Sequence, residues 1–395
     1  MSDMNSTPSS KRIHIGFFGR RNAGKSTLVN AVAGQELSVV SDVKGTTTDP
    51  VRKAMELLPL GSVVIIDTPG FDDEGTLGEL RVKRTLKVLS ECDIAVLVAE
   101  ADTGLTSADN ELLALFKKRD LPFVVAYNKS DLLSALLTTA ANEICVSALH
   151  GNNIHELKEL VGNLVKADDG KLRLVGDLLK PADIAVLVVP IDKAAPKGRL
   201  ILPQQQTIRD ILEADAMCVV TKEYELRETL ASLAKKPAIV ITDSQVFAKV
   251  AADTPQDIPL TSFSILFARQ KGLLFDSVQG AKSIDSLKDG DKILISEGCT
   301  HHRQCDDIGT VKIPRWLREY TKKDLTFDFT SGGDFAENLS GYSLIVHCGG
   351  CMLTDRILKN RLNCVKDAGA KITNYGVLIA YMQGILERCV KVFGL

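Results

Sequence analysis

The segment Gly19-Arg-Arg-Asn-Ala-Gly-Lys-Ser26 constrains the fold of this chain more than any other feature. Its spacing, G-x-x-x-x-G-K-[ST], needs a strand to deliver it and a helix to receive it. The β-branched and aromatic run Ile13 to Phe18 precedes it, and a helical pattern begins at once in Thr27 to Ala33. Gly19 and Gly24 let backbone N–H groups turn inward around a phosphate at the positive end of that helix. Asn22, Ala23 and Thr27 complete the cradle, Lys25 offers a point charge to the β- and γ-phosphates, and the Ser26 hydroxyl can ligate Mg²⁺. The bland alternative is a Gly-rich turn with a surface lysine.

Three further elements follow in a telling order. Asp67-Thr-Pro-Gly70 closes the run Val63 to Asp67, which puts Asp67 where a carboxylate supports a magnesium shell and Gly70 where an amide can sense a γ-phosphate. Asn128-Lys129-Ser-Asp131 follows the run Phe123 to Tyr127. The Asp131 carboxylate can accept both guanine N1–H and the exocyclic amine; adenine lacks that donor pair and would leave Asp131 buried and unpaired. Ser147-Ala148-Leu149, after Ile144 to Val146, completes a base pocket. Over its first ~165 residues the chain therefore resembles the translation-factor-like class of small GTPases. The resemblance implies GTP or GDP with Mg²⁺. Gly45-Thr-Thr-Thr-Asp49 holds the place of a first switch, and by resemblance to the Gly-Thr-Thr-x-Asp pattern Thr47 is the magnesium ligand, with Thr46 and Thr48 as alternatives. Lys25, Thr47 and Gly70 then form the catalytic set.

Two departures bear on mechanism. Phe71 stands where many GTPases carry a glutamine that orients water, so intrinsic hydrolysis is expected to be slow unless another group supplies transition-state charge. Asn22 lies three residues before Lys25. In GTPases resembling the tRNA-modification and ribosome-assembly group, an asparagine here binds K⁺ beside the phosphates; the alternative is an asparagine that only stabilises the loop.

At 395 residues and roughly 150 per domain, two to three domains are expected. A 45% hydrophobic and 25% charged composition excludes disorder as the main character of the chain. A net charge of −2 provides no basic field for nucleic acid. No apolar run approaches the ~20 residues of a membrane span, and the Ser-rich start lacks the core of a signal peptide. Nine cysteines, an odd number in a long chain, suit a reduced cytoplasmic protein. The expected architecture is α/β in three domains: a flexible N-terminus over 1–10, a GTPase domain over 11–168 with parallel strands, a small α/β unit over 172–265, and an α/β metal-binding unit over 266–395. The middle unit repeats Asp93-Ile-Ala-Val-Leu-Val98 as Asp183-Ile-Ala-Val-Leu-Val188 but has no phosphate loop, so association or scaffolding is its expected role. Strands of the last unit are expected at Lys292 to Ser296, Leu325 to Phe329, Ser343 to His347 and Gly376 to Ala380.

That last unit carries Cys299-Thr-His301 and, 45 intervening residues later, His347-Cys-Gly-Gly-Cys351. A Cys-x-x-Cys after a strand is a two-ligand clip, and Cys299 adds a third thiolate, with His301 and His347 within reach. Three thiolates suit a [4Fe–4S] cluster with one exchangeable iron, and three thiolates plus a histidine suit zinc equally well. An unligated redox pair is the third reading. Cys305 falls outside the pattern, and Cys92, Cys145, Cys218, Cys364 and Cys389 read as core thiols.

With these motifs in one chain, supported by Asp306-Asp-Ile-Gly309 and Lys312-Ile-Pro-Arg-Trp316, the sequence resembles the HydF family of [FeFe]-hydrogenase maturation GTPases over nearly its whole length. The resemblance implies a [4Fe–4S] cluster on Cys299, Cys348 and Cys351, its fourth position open or loosely closed by His301, His347 or Glu297. It implies a scaffold that delivers a diiron subcluster to apo-[FeFe]-hydrogenase, working with two radical-SAM maturases. It makes the middle unit a homodimerisation domain, with dimer or tetramer undecided, and implies neither a nucleic-acid nor a membrane partner. The competing reading is a ribosome- or tRNA-associated GTPase with a structural zinc; a redox sensor that gates the GTPase is another.

Overall fold

The computed structural model describes residues 9–34, 50–68, 85–133, 139–165, 172–191, 200–298, 307–336 and 338–395. The chain divides into two compact units, 1–169 and 170–395.

In the first unit the short β-branched runs form strands β1 (Ile13–Phe18), β3 (Gly61–Asp67), β4 (Ile94–Glu100), β5 (Phe123–Asn128) and β6 (Glu143–Cys145), with β2 (Val51–Leu57) beside β3. The sheet order is β2-β3-β1-β4-β5-β6. Strands β1, β3, β4, β5 and β6 are mutually parallel as expected, but β2 runs antiparallel to β3, so the sheet is mixed. Sequence reasoning passes over β2 because its Arg52, Lys53 and Glu56 give no apolar run; at the sheet edge only Leu57 is fully buried. Strand residues alternate between two cores. Ile15, Phe17, Val96 and Val98 pack with Leu28 and Val32 of helix Lys25–Ala33 and with Leu157 and Val161 of helix Ile154–Val165. Phe18, Ala95 and Leu97 pack on the other face with Leu89 and with Leu112 and Phe116 of helix Ser107–Lys118. Both faces are thus apolar, and the phosphate loop, Asp67, Asn128–Asp131 and Ser147 stand at or just beyond the carboxyl ends of the parallel strands β1, β3, β5 and β6.

The second unit has two four-stranded parallel sheets. One comprises β7 (Ile184–Val188), β8 (Met217–Thr221), β9 (Ile239–Thr242) and β10 (Leu260–Ser262) in the order β10-β9-β7-β8. The other comprises β11 (Lys292–Ser296), β12 (Thr326–Thr330), β13 (Leu344–His347) and β14 (Lys371–Asn374) in the order β12-β11-β13-β14. The repeated Asp-Ile-Ala-Val-Leu-Val sequences are β4 and β7, each an interior strand of its sheet. One hydrophobic cluster draws Val186 and Val240 from the first sheet and Leu294 and Ile345 from the second. A division at 265/266 passes through helix Phe263–Gln270.

One strand expectation is overturned. Gly376 to Ala380 lies in the helix Tyr375–Met382, and the fourth strand is the preceding Lys371–Asn374. A short apolar run cannot by itself distinguish a buried strand from a buried helix. Here Asn374 decides: its side chain accepts the Val377 N–H at 2.7 Å and starts the helix, which is buried from Tyr375 through Ala380. Among the described residues, no helix is long and apolar enough to cross a membrane.

Candidate functional site

Strand β1 delivers the phosphate loop, and two of its glycines are required by close approach. Gly19 has φ +143°, and a Cβ there would stand 2.2 Å from the Val98 carbonyl oxygen. Gly24 has φ +82°, and a Cβ there would meet Asn128 Nδ2 at 2.3 Å. Gly24 begins helix Lys25–Ala33, whose N-terminus has no side-chain cap, an arrangement suited to an anion. Asn22 is exposed and left-handed at φ 66°, a conformation asparagine tolerates better than most residues. Ala23 is buried, and Thr27 is exposed on the first helical turn.

Lys25 is only 7% exposed, and its Nζ donates to the Arg20 carbonyl at 2.6 Å. Ser26 Oγ donates to Asp67 Oδ2 at 2.6 Å. Burial pushes the Asp67 carboxyl up, opposed by the Ser26 hydrogen bond and the Lys25 charge. Its other oxygen, Oδ1, is buried with no hydrogen-bond partner among the described residues. A hydroxyl against a carboxylate with one orphaned oxygen fits a hard divalent cation, which would satisfy that oxygen.

At the other end of the site Asn128, 3% exposed, donates through Nδ2 to the Ala23 carbonyl at 3.0 Å and accepts the Ala148 N–H through Oδ1 at 3.0 Å. It ties the phosphate loop to the segment after β6. Ser147 Oγ donates to Asp131 Oδ1 at 2.6 Å and accepts the His150 N–H at 3.3 Å. The Ser147 bond is the main cause that holds the Asp131 carboxyl below its ordinary range, so it stays an acceptor. Asp131 is exposed rather than buried, so an unpaired carboxylate would cost what sequence reasoning assigned only once a base covers it. Lys129, left-handed at φ 63°, pairs with Glu100. Arg20 lies 3.9 Å from Glu100 and 3.6 Å from Asp109, which is fully buried and closes a capping box with Thr106. Sequence reasoning missed this charged ring, although Thr106-x-x-Asp109 carries a capping-box spacing that signals its start. Thr47, with Thr46 and Thr48, and Gly70, with Phe71, lie outside the described residues.

In the second unit β11, β12 and β13 end in register, with Ser296 opposite both Thr330 and His347. Cys348 and Cys351 follow directly. The Cys348 N–H donates to the Ser296 carbonyl at 3.0 Å, and Cys348 Sγ accepts the Gly298 N–H at 3.0 Å and the Gly350 N–H at 3.4 Å. Burial pushes the Cys348 thiol up and Cys351 up to about 11. Two thiols in one turn, with amides directed at one sulfur, form a donor set for a thiophilic metal, whose binding takes the place of the protons. His347 is 2% exposed and engaged at both nitrogens: Nδ1 bonds the Cys348 carbonyl at 2.7 Å, and Nε2 bonds Arg361 Nη1 at 2.9 Å. A guanidinium only donates, so Nε2 is the acceptor and Nδ1 carries the proton. Burial pushes the imidazole down to about 4, and the Arg361 charge adds to this. In this arrangement both ring nitrogens of His347 are engaged by protein partners. Glu297 is 3% exposed, and its Oε1 accepts from the Tyr375 hydroxyl at 3.3 Å. Cys299, His301 and Cys305 lie outside the described residues, among which no three His, Cys, Asp or Glu side chains gather around one point. Of the thiols read as core, Cys92, Cys145 and Cys389 are buried and Cys218 is half-buried. Cys364 is exposed, because it lies off the Leu358, Arg361, Leu362, Val365 stripe of helix Asp355–Asp367.

Comparison with known proteins matches three family models in succession: a 50S ribosome-binding GTPase over 14–129, the hydrogen maturase F dimerization domain over 174–272 and the hydrogen maturase F tetramerization domain over 275–392. The first unit is thus a GTPase domain, and the segment expected to hold the metal coincides with the tetramerization domain. The GTPase Der of Xylella fastidiosa is 37% identical over 166 residues, 38% of this chain and 36% of that protein. The GTPase Der of Campylobacter fetus is 30% identical over 257 residues, 57% of this chain and 55% of that protein. The chain therefore spans between about a third and a half of the length of these curated relatives. Among solved structures, Aquifex aeolicus Era bound to GDP and aluminium fluoride aligns at 21% identity and a TM-score of 0.34, covering 56% of this chain and 98% of that one.

Proposed function

Because the chain belongs to the hydrogen maturase F family, whose dimerization and tetramerization domains it carries in succession behind a GTPase domain, we propose that it is a GTP-hydrolysing scaffold that holds a [4Fe–4S] cluster and passes a diiron subcluster to apo-[FeFe]-hydrogenase. In this reading the domains span 11–168, 172–265 and 266–395, and the subcluster precursor comes from two radical-SAM maturases. Lys25 neutralises phosphate charge, Ser26 and Thr47 ligate Mg²⁺ with Asp67 behind them, and Asp131 reads guanine. Loss of the γ-phosphate releases Thr47 and Gly70, and the switch loops relax. Hydrolysis thereby regulates association with partners and takes no part in the metal chemistry.

Cys299, Cys348 and Cys351 hold the cluster, which when bound supplies an uncapped iron as an attachment point. The observation that supports this most is the Gly298 N–H on Cys348 Sγ, because Gly298 directly precedes Cys299 in the chain. Protein purified without oxygen is expected to contain iron and sulfide and to give the EPR signal of a reduced [4Fe–4S] cluster. Stoichiometric zinc with neither iron nor sulfide would instead favour a ribosome- or tRNA-associated GTPase with a structural zinc.

Asn22 binds K⁺ beside the phosphates in this reading, which offsets the missing water-orienting glutamine at Phe71. GTP turnover in KCl is expected to exceed that in NaCl by roughly tenfold, about 1.4 kcal/mol of barrier, and Asn22→Ala is expected to erase the difference. Equal rates in the two salts would defeat the potassium assignment.

A further inference from the structure

We propose that Arg361 is the fixed counter-cation and positioning residue of the Cys348–Cys351 clip. The proposal rests on the metal reading of that pair. Arg361 stands on helix Asp355–Asp367 and is 4% exposed, yet among the described residues no carboxylate forms an ion pair with it. Its two terminal nitrogens make four hydrogen bonds, all to uncharged acceptors. Nη1 donates to Ser296 Oγ at 3.2 Å and His347 Nε2 at 2.9 Å, and Nη2 donates to the carbonyls of Gly332 at 2.7 Å and Asp334 at 3.4 Å. The guanidinium lies over the Phe335 ring at 4.9 Å.

A buried cation without an adjacent anion costs several kcal/mol. Hydrogen bonds to neutral groups and a ring face offset part of that cost. Full compensation requires negative charge nearby. Burial disfavours the charged guanidinium, and negative charge at Cys348 or Asp334 would oppose that. A thiolate-bound cluster would bring such charge to the clip and keep it there.

The same guanidinium also fixes the clip mechanically. Ser296, which it holds through Oγ, accepts the Cys348 N–H at 3.0 Å through its carbonyl. His347, which it holds through Nε2, donates from Nδ1 to the Cys348 carbonyl at 2.7 Å. Both backbone groups of Cys348 are therefore one residue removed from Arg361. A positive charge in this place favours the more negative, reduced form of a metal–thiolate centre, and the fork geometry sets the direction of the Cys348 sulfur.

The test uses full-length protein purified anaerobically, with iron and sulfide measured and the cluster titrated electrochemically under EPR observation. Arg361→Met is expected to shift the ratio of reduced to oxidised cluster at a fixed poise at least tenfold toward oxidised, equivalent to 59 mV for one electron. Arg361→Lys, which keeps the charge and loses the fork, is expected to titrate near the wild-type potential with altered g-values. Lys359→Met removes a charge from an exposed position of the same helix and is expected to change neither. Loss of the cluster in Arg361→Met alone, with Arg361→Lys retaining it, supports the same conclusion. A wild-type potential in Arg361→Met, or equal loss of the cluster in both variants, would overturn the counter-cation role. Absence of iron from the wild-type protein would overturn the metal reading itself, and is a separable result.

Discussion

Lys25→Ala is expected to lower GTP turnover by at least two to three orders of magnitude while leaving iron content at the wild-type level. The side chain is 7% exposed, and its ammonium is held by the Arg20 carbonyl inside the phosphate loop. A charge so placed acts in a partly desolvated site, where removing one electrostatic contact to the transition state costs about 10²–10³ in kcat. Phe71 adds to the effect, since the chain has no glutamine at that position to carry part of the load. The iron should survive because Lys25 belongs to the compact unit 1–169 and the cysteine clip to 170–395, each with its own hydrophobic cores. Turnover, iron and sulfide are to be measured on one preparation. Concomitant loss of iron would show that the two sites are not separable.

The second large effect is expected at the clip. Cys348→Ser should reduce iron per protomer by more than the roughly 10–100-fold in affinity that loss of a mere outer-shell partner costs. A serine hydroxyl does not deprotonate as a thiol does, and iron prefers the softer sulfur. Cys348 also receives the Gly298 and Gly350 amides, which stabilise negative charge on its sulfur. Cys218→Ser, at a half-buried thiol of β8, is the control and should keep its iron. Full iron occupancy in Cys348→Ser would remove that residue from the ligand set.

Much of the nucleotide site was legible because its parts are local. Gly19 to Ser26 carries its own loop geometry, and the runs ahead of Asp67 and Asn128 are long enough to be read as strands with their chemistry at the carboxyl ends. Legibility failed where the signal was short or polar. The edge strand β2 is charged on its open side, β10 spans three residues, and β14 offers one buried apolar side chain, Ile372. The apolar Gly376 to Ala380 reads as a strand until the Asn374 cap is seen to start a helix. His347 has the right neighbours in sequence for a ligand, but its spacing gives no warning that Arg361 takes its Nε2.

Sequence by itself determined the chemistry on offer: a phosphate loop, a guanine reader, and a cysteine pair after a strand. Each is encoded in a few contiguous residues, so no tertiary information is needed to recognise it. Only the tertiary structure decided how those groups are held. Asn128 reaches the phosphate loop across 105 positions, and Arg361 reaches Ser296 across 65. Such contacts depend on the order in which parallel strands assemble, and packing of distant elements leaves no periodic mark along the chain.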